Sequence, residues 1–83
     1  MPAVAVVEGV KIVFYANEHP PAHFHAVIAE HRAVVNIADM KIVAGSLPAA
    51  KRRKVLSWAA PRKDALLERF AAALAHERVE PIE

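Results

Sequence analysis

Residues 20–38 read PPAHFHAVIAEHRAVVNIA. The two prolines end whatever precedes them, because proline fixes φ and donates no backbone hydrogen bond. From His23 onward the chain alternates. Phe24, Ala26 and Ile28 fall on one side of an extended backbone, and His23 and His25 on the other. This period of two predicts a half-buried strand over about residues 23–30. A turn is expected near His31-Arg32, followed by another β-branched strand, AVVNIA, over residues 33–38.

Working outward, AVAVV (3–7) and VKIVFYA (10–16) flank Glu8-Gly9. Two strand-like runs joined by a two-residue link with glycine second predict a β-hairpin. NEHPPA (17–22) is a loop, and KIVAG (41–45) reads as a short fifth strand after a turn at Asp39-Met40. Beyond Gly45 the period changes. Ser46 suits a helix N-cap and Pro48 the first turn, and Val55, Trp58 and Ala59 recur at helical spacing. After Pro61, so do Leu66, Leu67, Phe70 and Leu74. Two helices that turn at Ala60-Pro61 are expected, or else one helix kinked at Pro61. The expected fold is α+β: an antiparallel sheet of about four strands, followed by two C-terminal helices packed on one face. A single domain over residues 1–83 is predicted, with strands in about 3–45, helices in about 47–77 and a polar tail over 78–83.

Composition narrows the function classes. The 83 residues include no cysteine, which excludes disulfides and thiolate chemistry and suits a reducing cytoplasm. No run is long enough to span a membrane, and no basic segment precedes an apolar one at the start, so neither a membrane anchor nor a signal peptide is expected. Net charge is only +2, but residues 40–63 hold seven basic side chains and no acidic one. Within them KRRK, Lys51, Arg52, Arg53 and Lys54, is the candidate phosphate or nucleic-acid contact. A solvated helix face explains the same residues equally well. Trp58 could stack on a base, though its helical spacing with Val55 and Ala59 favours the core.

Four of the five histidines (His19, His23, His25 and His31) lie within 13 positions; His76, at the end of the second helix, suits a cation or donor near a helix C-terminus. On a strand, His23 and His25 project together, roughly 6.5–7 Å apart at Cα. Two chemistries follow. Both imidazoles could ligate one divalent metal ion, with His19, Glu18 or a residue of another strand as third ligand. Alternatively, one could accept and the other donate a proton in RNA cleavage, with Lys11 and Tyr15 supporting charge if their strand lies alongside. Half-exposed histidines that merely bond loop carbonyls are a blander reading, and a His-x-His spacing by itself does not displace it. No cofactor is required by the sequence.

Three segments together resemble a known group: FYANEHPPAHFHAVI, then VVNIADMKIVAGSLP, then KVLSWAAPRKDALLERFAAALAHERVEPIE. The chain resembles domain-of-unknown-function family 4160, small prokaryotic proteins without a settled activity. The most specific parts are Pro20, Pro21, His23 and His25, the step from Gly45 to Pro48, and Pro81-Ile82. The resemblance implies a small protein partner encoded nearby, in an arrangement similar to toxin–antitoxin pairs. It also makes His23 and His25 the family's most plausible site. The leading expectation is therefore a binding or regulatory protein in such a pair. RNA cleavage by His23 and His25 and metal binding through the His-x-His strand are the alternatives. Homodimerisation through exposed strand edges stays open.

Overall fold

A computed structural model of the chain describes residues 3–82. Five strands, β1 (Ala5–Val7), β2 (Val10–Val13), β3 (His23–Ile28), β4 (His31–Asn36) and β5 (Lys41–Gly45), pair antiparallel in chain order. The sheet is thus a meander with one strand more than the four expected. KIVAG earns full strand status because Ile42 pairs with Val35, and Lys41 and Gly45 pair with Asn36 and Ala33. A bulge between Val34 and Val35 absorbs the extra residue of β5.

The hairpins follow from local chemistry. Glu8 and Gly9 both adopt positive φ, 51° and 82°, as a two-residue type I′ turn requires. The β3–β4 turn falls at Ala29-Glu30, two residues before the expected His31-Arg32, and those two residues open β4 instead. The reason is register. A turn there sets Ala26 opposite Ala33 and Phe24 opposite Val35, so all four reach the same core. Strand β2 also stops early, at Val13. Phe14 leaves the ladder for the core, where its ring meets Phe70 edge-on with centroids 6.4 Å apart.

The helical half is one joined segment, 49–74, in place of the two separate helices expected. It comprises α1 (Ala49–Ala59), a 3₁₀ turn (Ala60–Arg62) and α2 (Lys63–Leu74). Pro61 sits at the start of the 3₁₀ turn, where its missing N–H sacrifices little. Ser46 is not the N-cap of α1. Pro48 holds that place and its carbonyl accepts from Arg52 N–H at 2.8 Å, while the Ser46 N–H donates to the Arg32 carbonyl at 2.9 Å. The helix ends at Leu74 in a Schellman motif, with His76 N–H on Ala73 O and Glu77 N–H on Ala72 O. His76 takes the left-handed position, φ 57°, that such an ending demands.

One face of the sheet meets these helices. Ile12, Phe24, Ala26, Val35 and Ile37 bury against Val55, Leu66 and Phe70. Trp58 is half-buried at the margin of this core, with the Arg62 guanidinium 5.0 Å above its ring. The tail is less solvated than its polarity suggested. Val79 and Ile82 pack on the core, Ile82 N–H donates to Val4 O at 2.7 Å, and Arg69 Nε donates to Glu80 O.

Two backbone positions make stability predictions. A Cβ on Gly45, at φ 71°, would lie 2.0 Å from the Arg32 carbonyl oxygen. Gly45→Ala should therefore lower unfolding free energy by about 3 kcal/mol, read by urea titration. His76→Gly should raise it by about 1 kcal/mol in the same assay, since glycine occupies the left-handed ending without a Cβ penalty.

Candidate functional site

Because Phe24 and Ala26 face the helices, the alternation of β3 sends His23 and His25 toward the opposite face of the sheet. Val34 and Asn36 stand beside them on β4, opposite His25 and His23 in the ladder. Val13 pairs with His25 from the other side, on β2. His25 is thus held between two neighbouring strands, and His23, just beyond the end of β2, is paired with β4; a strand is a stiffer platform than a loop.

The loop between β2 and β3 folds back over this platform. It contains a cis Pro20-Pro21 bond and carries Glu18 to the histidines. Each imidazole presents Nε2 to a different oxygen of one carboxylate. His25 Nε2 lies 2.6 Å from Glu18 Oε1, and His23 Nε2 lies 3.2 Å from Oε2. On the far side of its ring, His23 Nδ1 is 2.8 Å from the Pro21 carbonyl oxygen. Tyr15 packs edge-on against His25 with centroids 4.6 Å apart, and Phe70, reaching from α2, lies tilted against His23 with centroids 5.2 Å apart. The three side chains remain only 13–23% exposed. Burial pushes the Glu18 carboxyl up, but hydrogen bonds with His25 and His23, and their charge, outweigh it and hold the group below its ordinary 4.5.

A cavity of about 390 Å³ opens over the cluster, lined also by His19, Pro20, Pro21, Val34, Asn36 and Val43. His19, the leading choice for third metal ligand, is an exposed residue of this lining. Among the described residues the group able to hold a metal ion is Glu18, His23 and His25. Glu18 carries no periodic signal of its own. Its one sequence clue is a position five residues before His23, across a loop that two prolines compel to turn.

Lys51, Arg52, Arg53 and Lys54 are not brought to this place. They lie on α1, in the layer that covers the other face of the sheet, and none lines the cavity. Lys51 Nζ donates to the Glu8 carbonyl at 2.7 Å, tying α1 to the first hairpin. Arg52 lines a separate groove with Met40, Lys41 and Leu56. The cleft shared by histidines and basic helix, which phosphate-assisted RNA cleavage needs, does not form. Lys11 and Tyr15 do sit on the strand side next to β3, but of these only Tyr15 reaches a histidine ring. His31 starts β4, exposed at the opposite end of the strand pair from His23. No helix among the described residues is long and apolar enough to cross a membrane.

The family model for the Domain of unknown function (DUF4160) matches residues 9–71, and the chain belongs to that family. Comparison with the curated proteins and with the solved structures finds no match. The matched span runs from the first hairpin turn into α2, so Glu18, His23 and His25 all lie inside it.

A pH prediction comes from Glu18. A carboxyl whose folded value is depressed stabilises the fold above its unfolded value and loses that contribution as pH falls through the folded one. Wild type should therefore exceed Glu18→Gln in urea midpoint above the ordinary 4.5, and the gap should close at lower pH. A gap independent of pH would show that charge on Glu18 contributes nothing.

Proposed function

We propose that this member of the DUF4160 family is a small binding protein that acts through a protein partner, and that it binds through the uncovered face of its sheet. The uneven coverage of that sheet carries the reading. The helices cover one face, and the other presents apolar side chains around a polar cluster. Among the described residues the large apolar side chains left exposed are Val6, Val43 and Leu67, and the first two, at 63% and 61%, belong to this face. Val6 pairs with Lys11, between core-facing neighbours, and Val43 lines the cavity above the histidines. Exposed apolar side chains mark protein interaction surfaces, and the polar groups beside them can supply the direct hydrogen bonds that an interface carries. The family resemblance supplies the partner class: a small protein encoded nearby, in a toxin–antitoxin-like pair.

RNA cleavage with His23 and His25 as acid and base is the second reading. The 2.6 Å contact between Glu18 and His25 favours it, because a carboxylate that orients an imidazole is a common acid–base device. It lacks the phosphate-holding half, since Lys51–Lys54 stand across the sheet.

The test is co-expression with the neighbouring gene product, followed by purification of the complex. Val43→Glu should weaken the complex at least about tenfold by calorimetry while the circular dichroism is unchanged. An unaltered complex would remove the open face from the interface. Inducing the chain alone, with and without His23→Ala/His25→Ala, then assigns its role. Growth arrest by wild type only would favour the histidine-dependent nuclease, and arrest by neither would favour the neutralising member of the pair.

A further inference from the structure

We propose that Glu18, His23 and His25 bind one divalent first-row transition-metal ion, with at least one coordination position left open toward the cavity above them. The inference concerns the same face as the partner-binding reading and does not depend on it.

A backbone carbonyl only accepts, so the 2.8 Å contact with Pro21 O assigns the proton to His23 Nδ1. In the neutral ring, Nε2 is then a bare lone pair. That lone pair points at Glu18 Oε2, an anionic acceptor, across 3.2 Å. The contact therefore requires a cation: either a second proton on Nε2, which then donates to Oε2, or a metal ion held between the two atoms. The second carboxylate oxygen is engaged by His25 Nε2, so a third donor atom converges on the same spot. One ligand atom from each residue lies within 4.8 Å of the others.

A metal ion satisfies all three atoms at once. For bond lengths near 2.0–2.1 Å, tetrahedral ligand atoms stand about 3.3 Å apart. The His23–Glu18 separation of 3.2 Å already matches this. The His25 contact runs to the other oxygen, Oε1, at 2.6 Å, and must open as the carboxylate turns a single oxygen to the ion; Glu18 lies on the loop that can supply the shift. The anchored Nδ1–H of His23 is the outer support that metal-bound histidines ordinarily have, fixing both tautomer and ring plane. Two imidazole nitrogens with one carboxylate oxygen select zinc, iron or cobalt over magnesium or calcium, which prefer all-oxygen sets. Three protein ligands do not fill a four-coordinate ion. The vacant position faces a cavity walled by Pro20, Pro21, Val34 and Val43, with Asn36 as its polar neighbour. Water or an outside oxygen or nitrogen donor would complete the shell there.

The experiment uses the full chain, stripped with a chelator and titrated with Zn²⁺ by calorimetry at about pH 7, where ligands are available. One ion per chain with Kd about 1 μM or below is expected. Glu18→Gln and His23→Ala should each weaken binding by at least about 100-fold, whereas His19→Ala and His31→Ala should stay within about threefold. Equal binding by wild type and Glu18→Gln, or no wild-type binding up to about 1 mM, overturns the proposal. A substitution in β3 can disturb the sheet, so the wild type supplies a second readout. Zn²⁺ should shift the imidazole ¹⁵N resonances of His23 and His25 and leave His19, His31 and His76 in place. Uniform shifts across all five histidines would mean surface binding. A His23 Nε2 that stays protonated in the presence of Zn²⁺ would mean a proton neutralises the cluster. Either result sinks the metal site. Because the isolated chain is measured, failure here leaves the partner reading untouched, and failure to find a partner leaves this one untouched.

Discussion

The pairing of β3 between β2 and β4 sets Ala26 opposite Ile12 on one side and Ala33 on the other, with Phe24 opposite Val35. Everything else hangs on this register. Side chains alternate along a strand, so a slip of one residue would drive His23 and His25 into the core and push Phe24 and Ala26 into water. Burying two imidazoles without partners while exposing a phenyl ring opposes any such slip. Core and site are therefore specified together, by opposite faces of the same six residues.

That coupling explains why the cluster is stiff where it needs to be and adjustable where it can be. The histidines ride on a strand paired with β4 throughout and with β2 as far as His25, with Tyr15 and Phe70 against their rings. The carboxylate arrives from the loop after β2, which the early exit of Phe14 into the core releases from the ladder. Glu18 sits between two imidazoles that draw its carboxyl below the ordinary range, against the opposing effect of burial. An anion with two convergent nitrogens, partly shielded from water, is a place where a cation gains more than it would at the surface.

The helices stabilise the sheet, and they touch the cluster through the Phe70 ring of α2, which lies against His23. Their apolar stripe, Val55, Leu66 and Phe70, covers the face that Phe24 and Ile12 occupy. The basic residues of α1 point elsewhere, and one of them, Lys51, serves as a strut to the Glu8 carbonyl. The uneven charge along the chain thus becomes a segregation in space: a basic helical layer on one side, and a histidine–carboxylate cluster amid valines on the other.

Periodicity made much of this legible in the residues alone. The alternation from His23 to Ile28, the Glu8-Gly9 hairpin and the helical spacing of Val55, Leu66 and Phe70 all report backbone preference and burial, which are local or nearly local properties. They determined the α+β class, the strand that carries the histidines and the face on which those histidines lie. Tertiary structure decided the rest. Whether Glu18 or His19 meets the pair depends on how a proline-bearing loop closes, and no local pattern encodes that. The turn moved to Ala29-Glu30 because cross-strand core pairing outweighs the cost of a positive φ at alanine. Pro61 leaves the helical segment joined because it falls at the start of a 3₁₀ turn, where no donor is missed. Lys51–Lys54 lie across the sheet from the histidines because the apolar stripe of α1 had to face the core, and a helix cannot turn its charged side toward a site on the far side of the sheet it covers.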